Sequence, residues 1–303
     1  MKILCTGAHG FIGSWLVPEL YACGHEVISV DFKDGDLRES GVAMELVAKH
    51  EPDVVIHLAA QVGILFNEDD HGRAIESNVT MTLRVAQACG ANGARLVHTS
   101  TSEVYGDHGE EVVDEDAPLQ GRATGIYALT KRWSEDVCRE YAPDGLVILR
   151  PSMPYGPGAP PGRGRRAMDN MIWQANYNRP IIVHRGSSRS WCWAGDLVRG
   201  IRMIVESGEI GAFNVGRDDN EISMLAVAEM ACELTGADVS LIREVDPPQR
   251  KTMVKRLSTE RLRALGWEPK VGLTEGMLQV RDWIVTFDAE GKRINVQDRF
   301  EDL

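Results

Sequence analysis

The chain has 303 residues, 43% of them hydrophobic, and a formal net charge of −12. That size suits one large α/β domain or a domain with a smaller lobe, and the acidity argues against general nucleic-acid binding, although local basic pockets can still hold anions. No apolar run approaches the ~18 residues of a transmembrane helix, and Met1-Lys2 runs straight into a strand pattern, so neither a membrane span nor a signal peptide is expected.

The first half alternates two patterns. "KILCTG" (2–7) reads as a strand, "IGSWLVPELYACG" (12–24) as a helix and "HEVISVD" (25–31) as a strand. "GVAMELVAKHEP" (41–52) is helical and "DVVIHLAA" (53–60) a strand. "ESNVTMTLRVAQACGANG" (76–93) is a long helix and "ARLVHTS" (94–100) a strand. "IYALTKRWSEDVCREYA" (126–142) is a helix and "GLVILRPS" (145–152) a strand. Short apolar strands separated by helices imply a parallel sheet covered on both faces. A turn-rich loop at 118–124 precedes the Tyr127 helix. From Pro154 the texture changes to a loop dense in Pro, Gly and Arg, "PYGPGAPPGRGRR". Beyond it lie a helix (167–178), a strand (180–184), a helix (196–208), a strand (211–216), a helix (223–236) and a further strand (239–245). Two short helices follow within 258–287, and the charged last dozen residues are expected to be partly disordered. The six cysteines are scattered without close pairs, which argues against a disulfide framework or zinc site and makes a reducing cytoplasm the default. They read as ordinary buried thiols.

"TGAHGFIG" places Gly7, Gly10 and Gly13 between a strand and a helix. Glycine allows the tight turn at the first site, close approach of a pyrophosphate at the second and helix–strand packing at the third. The helix N-terminus supplies N–H groups for the phosphates. Asp31 ends the next strand, where a carboxylate accepts from a ribose diol and repels a 2′-phosphate. These features indicate a dinucleotide site that favours NAD over NADP.

Tyr127 and Lys131 stand four residues apart on one helix, hence on one face, with Cβ atoms about 5–6 Å apart. A lysine beside a phenol stabilises the phenolate, so the tyrosine pKa is expected to fall and its oxygen to act as a base. The stretch "VHTSTSEVYGD" (97–107) ends a strand in hydroxyl groups, a carboxylate and a tyrosine. Active sites of open parallel sheets lie at such carboxyl ends.

Together these residues resemble the extended short-chain dehydrogenase/reductases, the group of nucleotide-sugar epimerases, dehydratases and decarboxylases. The likeness covers almost the whole chain. It runs in order through "TGAHGFIG" (with Phe11 and Ile12), Asp31, Asp36-Leu37 in "GDLRE", "HLAA" (Leu58, Ala59, Ala60), Asn78 and "TSTSEVYG". It continues with Tyr127 and Lys131, "LRPSMPYGP" (with Pro151), "RSWCWAGDLV", "FNVG" and "LGWEP". The resemblance implies a Rossmann doubly wound parallel sheet binding NAD over residues 1–152, with about 190–215 returning to it. It also implies a smaller, mixed α/β C-terminal lobe, mainly 153–303, closing over a nucleoside-diphosphate sugar. It implies adenine contact at Asp36-Leu37, and a homodimer through the helices near Glu76 and Tyr127, with Val79, Leu83 and Ala86 on the shared face.

In that family a Ser or Thr joins the Tyr/Lys pair, and Thr101 holds the position. Its hydroxyl would orient the sugar O4 towards Tyr127, which takes the O4 proton as hydride leaves C4 for the nicotinamide. The resulting 4-keto sugar acidifies C5–H. Glu103, in the triplet Thr101-Ser102-Glu103, resembles the glutamate of GDP-mannose 4,6-dehydratases and UDP-glucuronate decarboxylases. Ser102 stands where dTDP-glucose dehydratases hold an aspartate. "GRGRR", with Arg163, Arg165 and Arg166, and Asn170 resemble the decarboxylase pattern. Arg189 matches an arginine that contacts the nucleotide diphosphate, and Arg250 a second. Met153 replaces the family's usual asparagine, and the short Asp31–Asp36 segment resembles 4-keto reductases. His57 is expected to pack below the cofactor, and Trp191 and Trp193 to pack in the core or lobe. Epimerisation is the first expectation, with decarboxylation or 4,6-dehydration as the alternative on the strength of Glu103, and net reduction after them. A non-catalytic NAD-binding scaffold is the rival from another class.

Overall fold

The computed structural model describes residues 1–62, 69–119, 125–158, 166–247, 252–288 and 291–293. Six strands form the central sheet: β1 (Lys2–Thr6), β2 (Glu26–Val30), β3 (Val54–His57), β4 (Arg95–Thr99), β5 (Val147–Pro151) and β6 (Gly211–Val215). Their order is β6-β5-β4-β3-β1-β2, and every pair is parallel. This is the expected α/β Rossmann-like architecture. The chain leaves β1 for β2 on one side and reaches β3 on the other. A crevice therefore opens at the carboxyl ends of β1 and β3.

Both faces of the sheet are covered, which is why its strands read as continuous apolar runs. Ile3 and Cys5 of β1 point into one core with Ile56, Val97 and Leu149. Leu4 between them points into the other with Val55, Leu96 and Ile148. On the first face lie helices α1 (Phe11–Ala22) and, later in the chain, α5 (Ala194–Ser207); on the second lie α2 (Val42–His50), α3 (Met81–Asn92) and α4 (Ile126–Tyr141). The helix expected over 76–93 starts earlier, at His71, and carries a π-helical turn over Glu76–Thr80 before α3. Ala86, expected on a dimer face, is buried in the chain's own core.

A third core belongs to the lobe and includes Trp191, Trp193, Tyr155 and the helices Ala167–Asn176, Met224–Thr235 and Leu273–Ile284. The two tryptophans pack as expected. Trp193 meets Trp15 of α1 edge-on at 5.3 Å between ring centroids. Trp15 Nε1 donates to the Pro157 carbonyl at 2.9 Å. This lobe is thus docked on the helix that opens with the glycine turn. Five cysteines are buried and Cys23 is exposed. Among the described residues no helix is long and apolar enough to cross a membrane. The expected loop residues 120–124 and 159–165 and tail residues 294–303 lie outside the described residues.

Gly13 is where α1 touches the turn that follows β1. A Cβ built there would stand 2.4 Å from the Gly7 carbonyl oxygen and 2.5 Å from that of Ala8, both backbone atoms that cannot swing away. Gly13→Ala is expected to lower stability by about 1–3 kcal/mol, read as a fall in the urea midpoint at unchanged slope.

Candidate active site

The glycine turn follows from crowding as much as from flexibility. Gly7 has φ +68°, and a Cβ on it would stand 2.7 Å from the Ala59 nitrogen. The turns after β1 and β3 therefore meet backbone to backbone at the head of the crevice. Gly10 begins α1 without a side-chain cap, and no acidic residue lies in the first turn, formed by Phe11, Ile12 and Gly13. Free N–H groups and the helix dipole at such an end suit a pyrophosphate.

Asp31 sits beside this turn. Its carboxylate accepts from the His9 backbone N–H at 3.0 Å and that of Phe32 at 2.9 Å, and pairs with His9 Nδ1 at 3.1 Å. Burial raises its pKa, but these donors outweigh burial and hold it below the ordinary carboxylate range. It is an anion held beside the glycine turn. Asp36 is gripped by Arg38, whose Nη2 lies 2.7 Å away, and Leu37 is buried beside it.

The crevice floor is fixed by a chain of hydrogen bonds. Thr82 donates to the Asn78 carbonyl at 2.7 Å, so its oxygen accepts from His57 Nε2 at 3.2 Å. His57 Nδ1 then accepts from the Thr6 hydroxyl at 2.7 Å, and Ala59 N–H donates to Thr6 Oγ1. His57 is buried as expected, and burial pushes its pKa down to about 3, so it is a neutral strut. The Asn78 amide joins three elements. Its oxygen accepts from Gln61 N–H at 2.8 Å, and its nitrogen donates to the Gln61 carbonyl and to Thr130 Oγ1, both at 3.2 Å. That places the Leu58–Ala60 turn against the residue before Lys131. Pro151 closes β5 opposite Val215 of β6.

The structure brings Thr101, Glu103 and Tyr127 together, with Lys131 one helical turn on from Tyr127 in α4. Thr101 caps a 3-10 turn over Ser102–Tyr105, its Oγ1 accepting from Glu103 N–H at 3.3 Å, and Ser102 is buried within the turn. The Thr101 side chain also hydrogen-bonds the half-buried Tyr127 phenol. One expectation is overturned. The Tyr127 pKa is not lowered but pushed up to about 12, by burial above all, with Glu103 adding to the rise and Thr101 opposing it. The reason is where Lys131 points. Its ammonium donates to the Thr99 carbonyl at 2.7 Å, and burial pushes it down to about 8. The lysine is held ready beneath the site rather than on the phenol.

On the substrate side Met153 has φ +42°, a left-handed conformation that asparagine adopts readily and methionine rarely. Met153 packs against the lobe core. Asn170 lies at the start of the lobe helix, its N–H bonded to the Arg166 carbonyl. Arg189 is buried, donating to the carbonyls of Ser188 (2.6 Å), Met253 (2.7 Å) and Thr252 (2.6 Å). Arg165 and Arg250 lie outside the described residues.

One residue in the site, Lys255, went unassigned on sequence. Lys255 forms an ion pair with Glu103, and both are largely buried. Nothing in the order of residues around Lys255 signals it. Arg166 lies 3.4 Å over the Phe11 ring, bonds the Gly156 carbonyl and pairs with Asp169. It staples the lobe to the glycine turn.

Comparison with known proteins agrees with this geometry. The family model described as "NAD dependent epimerase/dehydratase family" matches residues 3–216. UDP-glucuronic acid decarboxylase 6 of Arabidopsis thaliana is 32% identical, over 91% of this chain and 87% of its own length. The Thermus thermophilus UDP-glucose 4-epimerase complex with NAD superposes with a TM-score of 0.84 at 27% identity, covering 94% of this chain and 99% of that one. MoeE5 in complex with UDP-glucuronic acid and NAD superposes at 0.82 with 26% identity, covering 93% and 98%. The parallel sheet, the glycine cradle with its anionic Asp31 and the Thr–Tyr–Lys cluster therefore have a common origin: this chain belongs to the NAD-dependent epimerase/dehydratase family of nucleotide-sugar enzymes.

Proposed function

We propose that the protein decarboxylates a nucleoside-diphosphate hexuronate through a 4-keto intermediate. The observation that carries this reading is the Glu103–Lys255 ion pair beside the Tyr127 phenol. A dehydratase needs its glutamate as a base towards C5–H. Here an ammonium group occupies that carboxylate. Decarboxylation needs no such base, because C5 loses carbon dioxide rather than a proton. Epimerisation, placed first on sequence alone, gives way to the similarity to UDP-glucuronic acid decarboxylases, which supports the same choice.

Residues of the chain fit NAD: a turn that a Cβ would block at Gly7 and Gly13, an uncapped helix end and the Asp31 anion. NAD, when bound, would supply a reversible hydride acceptor for C4, and its nicotinamide charge would favour the phenolate. Thr101 orients the sugar O4, and Tyr127 removes the O4 proton and gives it back. Lys131 supplies positive charge beneath the phenol. At the keto stage the C5–carboxylate bond breaks and its electron pair moves towards the C4 carbonyl. Carbon dioxide leaves and a proton replaces it at C5.

The test is product mass. Purified protein given UDP-glucuronate should yield a product lighter by one carbon dioxide. Unchanged mass with an inverted ring carbon would make it an epimerase. Loss of one water from a neutral hexose nucleotide would make it a dehydratase. We further propose a homodimer through α3 and α4, where Trp133 and Tyr141 are exposed, testable by sedimentation.

A further inference from the structure

Lys255 lies at the end of a stretch that Arg189 ties down through the carbonyls of Thr252 and Met253. Its side chain is 7% exposed and ion-paired with Glu103, itself 17% exposed. Burial pushes the ammonium below its ordinary range, Glu103 pulls it back, and Arg189 pushes it down again. Two cations, Lys255 and Arg189, thus share the Glu103 carboxylate, and Asp107 acts on Arg189 as well. Glu103 also acts electrostatically on the Tyr127 phenol. On the reading above, that phenol marks the sugar C4 hydroxyl, so the substituent on the neighbouring C5 comes towards the Glu103–Lys255 pair.

The geometry points to Lys255 as the specificity-determining residue that recognises a carboxylate carried on the sugar ring, with Glu103 occupying its place in the free protein. This inference rests on the hexuronate reading and names the group that enforces it. A buried ammonium without a counter-charge is strongly unfavourable, so the free pocket needs an internal carboxylate. A neutral hexose leaves the internal pair intact and gains nothing from Lys255. A hexuronate brings its own carboxylate and takes up the ammonium in competition with Glu103. Arg189 acts as a positioning residue, because it fixes the backbone leading to Lys255.

The competition gives two substitutions opposite effects on binding. NAD-loaded protein carrying Tyr127→Phe, which blocks turnover, is titrated by calorimetry with UDP-glucuronate and UDP-glucose. It should prefer UDP-glucuronate by about 10–100-fold. Adding Lys255→Met should erase the preference while leaving UDP-glucose affinity in place, and Lys255→Arg should keep most of it. Adding Glu103→Gln should enlarge the preference, because the substrate no longer competes with an internal carboxylate. A merely structural pair would not give that rise. If the starting protein shows no preference, the hexuronate reading falls first and the role of Lys255 with it. If the preference exists and survives Lys255→Met, or if Glu103→Gln weakens it, only the assignment of Lys255 is overturned. Should Lys255→Met lose UDP-glucose binding altogether, the direction of the Glu103→Gln change decides.

Discussion

Tyr127→Phe is expected to lower kcat by about 10²–10⁴-fold while substrate affinity and the thermal midpoint stay close to those of the parent. The variant removes one oxygen and leaves the ring. Its partner Thr101 still caps the 3-10 turn through Glu103 N–H, so the local fold has a second support. What disappears is the group that takes the C4 hydroxyl proton. Stopped-flow absorbance of the reduced cofactor after mixing with substrate is the direct readout, because the oxidation step itself needs the phenol. The pH profile carries a second part of the same expectation. Lys131 sits at about 8 because of burial. Its positive charge is present below that pH and lost as pH rises through it, so kcat/KM should decline on the alkaline side of about 8. A Tyr127→Phe enzyme with parental turnover would remove the proton relay from the mechanism.

The parts of this site legible in the sequence are those written within one turn or one helix. Gly7, Gly10 and Gly13 announce a strand–turn–helix junction. Tyr127 and Lys131 share a face by spacing alone. The all-parallel sheet follows from apolar runs separated by helices, and the strand at 211–216 was identifiable because it is as apolar as the rest. The illegible parts are tertiary. Lys255 reaches Glu103 across 152 residues from a segment without periodicity. The direction of the Lys131 ammonium depends on the Thr99 carbonyl, which no spacing rule locates. The expectation of a lowered phenol pKa failed there, since adjacency on a helix face says nothing about which acceptor a flexible lysine chooses. The short pairing of Ser188–Ser190 with Glu221–Ser223 offers too few residues for an alternation to register. Arg189 shows the same limit. Its residue type suggests an anion, whereas its three carbonyl partners come from tertiary packing.

Arg150→Met should destabilise the protein by about 3–5 kcal/mol, the largest stability loss expected here. Arg150 is 3% exposed at the end of β5, and Glu135 of α4 is fully buried. The guanidinium donates to Glu135 through Nε at 3.0 Å and Nη2 at 2.7 Å, and through Nη1 to the Tyr105 hydroxyl at 2.9 Å and the Glu115 carbonyl at 3.1 Å. Tyr105 in turn donates to Asn214 of β6 at 2.7 Å, and Ser100 donates to Glu135 at 2.6 Å. One cation thus joins β5, α4, β6 and the segment leading to Thr101. Without it a carboxylate remains buried with Ser100 and the half-exposed Arg139 as its remaining hydrogen-bond partners among the described residues. Burial alone would raise the Glu135 pKa, but Arg150 and Ser100 outweigh it and hold the group below its ordinary value. A depressed carboxylate contributes stability above its unfolded pKa of about 4.3 and loses it as pH falls through the lower folded value. The wild type should therefore weaken on acidification in that window. In Arg150→Met the Glu135 contribution should be much smaller, because the main stabiliser of the charged form is gone. Urea midpoints measured from neutral pH down to pH ~4 test both statements. The double variant Arg150→Met/Glu135→Leu should recover much of the loss, since it removes both buried charges together. If the double variant is as unstable as the single, the loss comes from the Tyr105 and Glu115 contacts rather than from a stranded carboxylate.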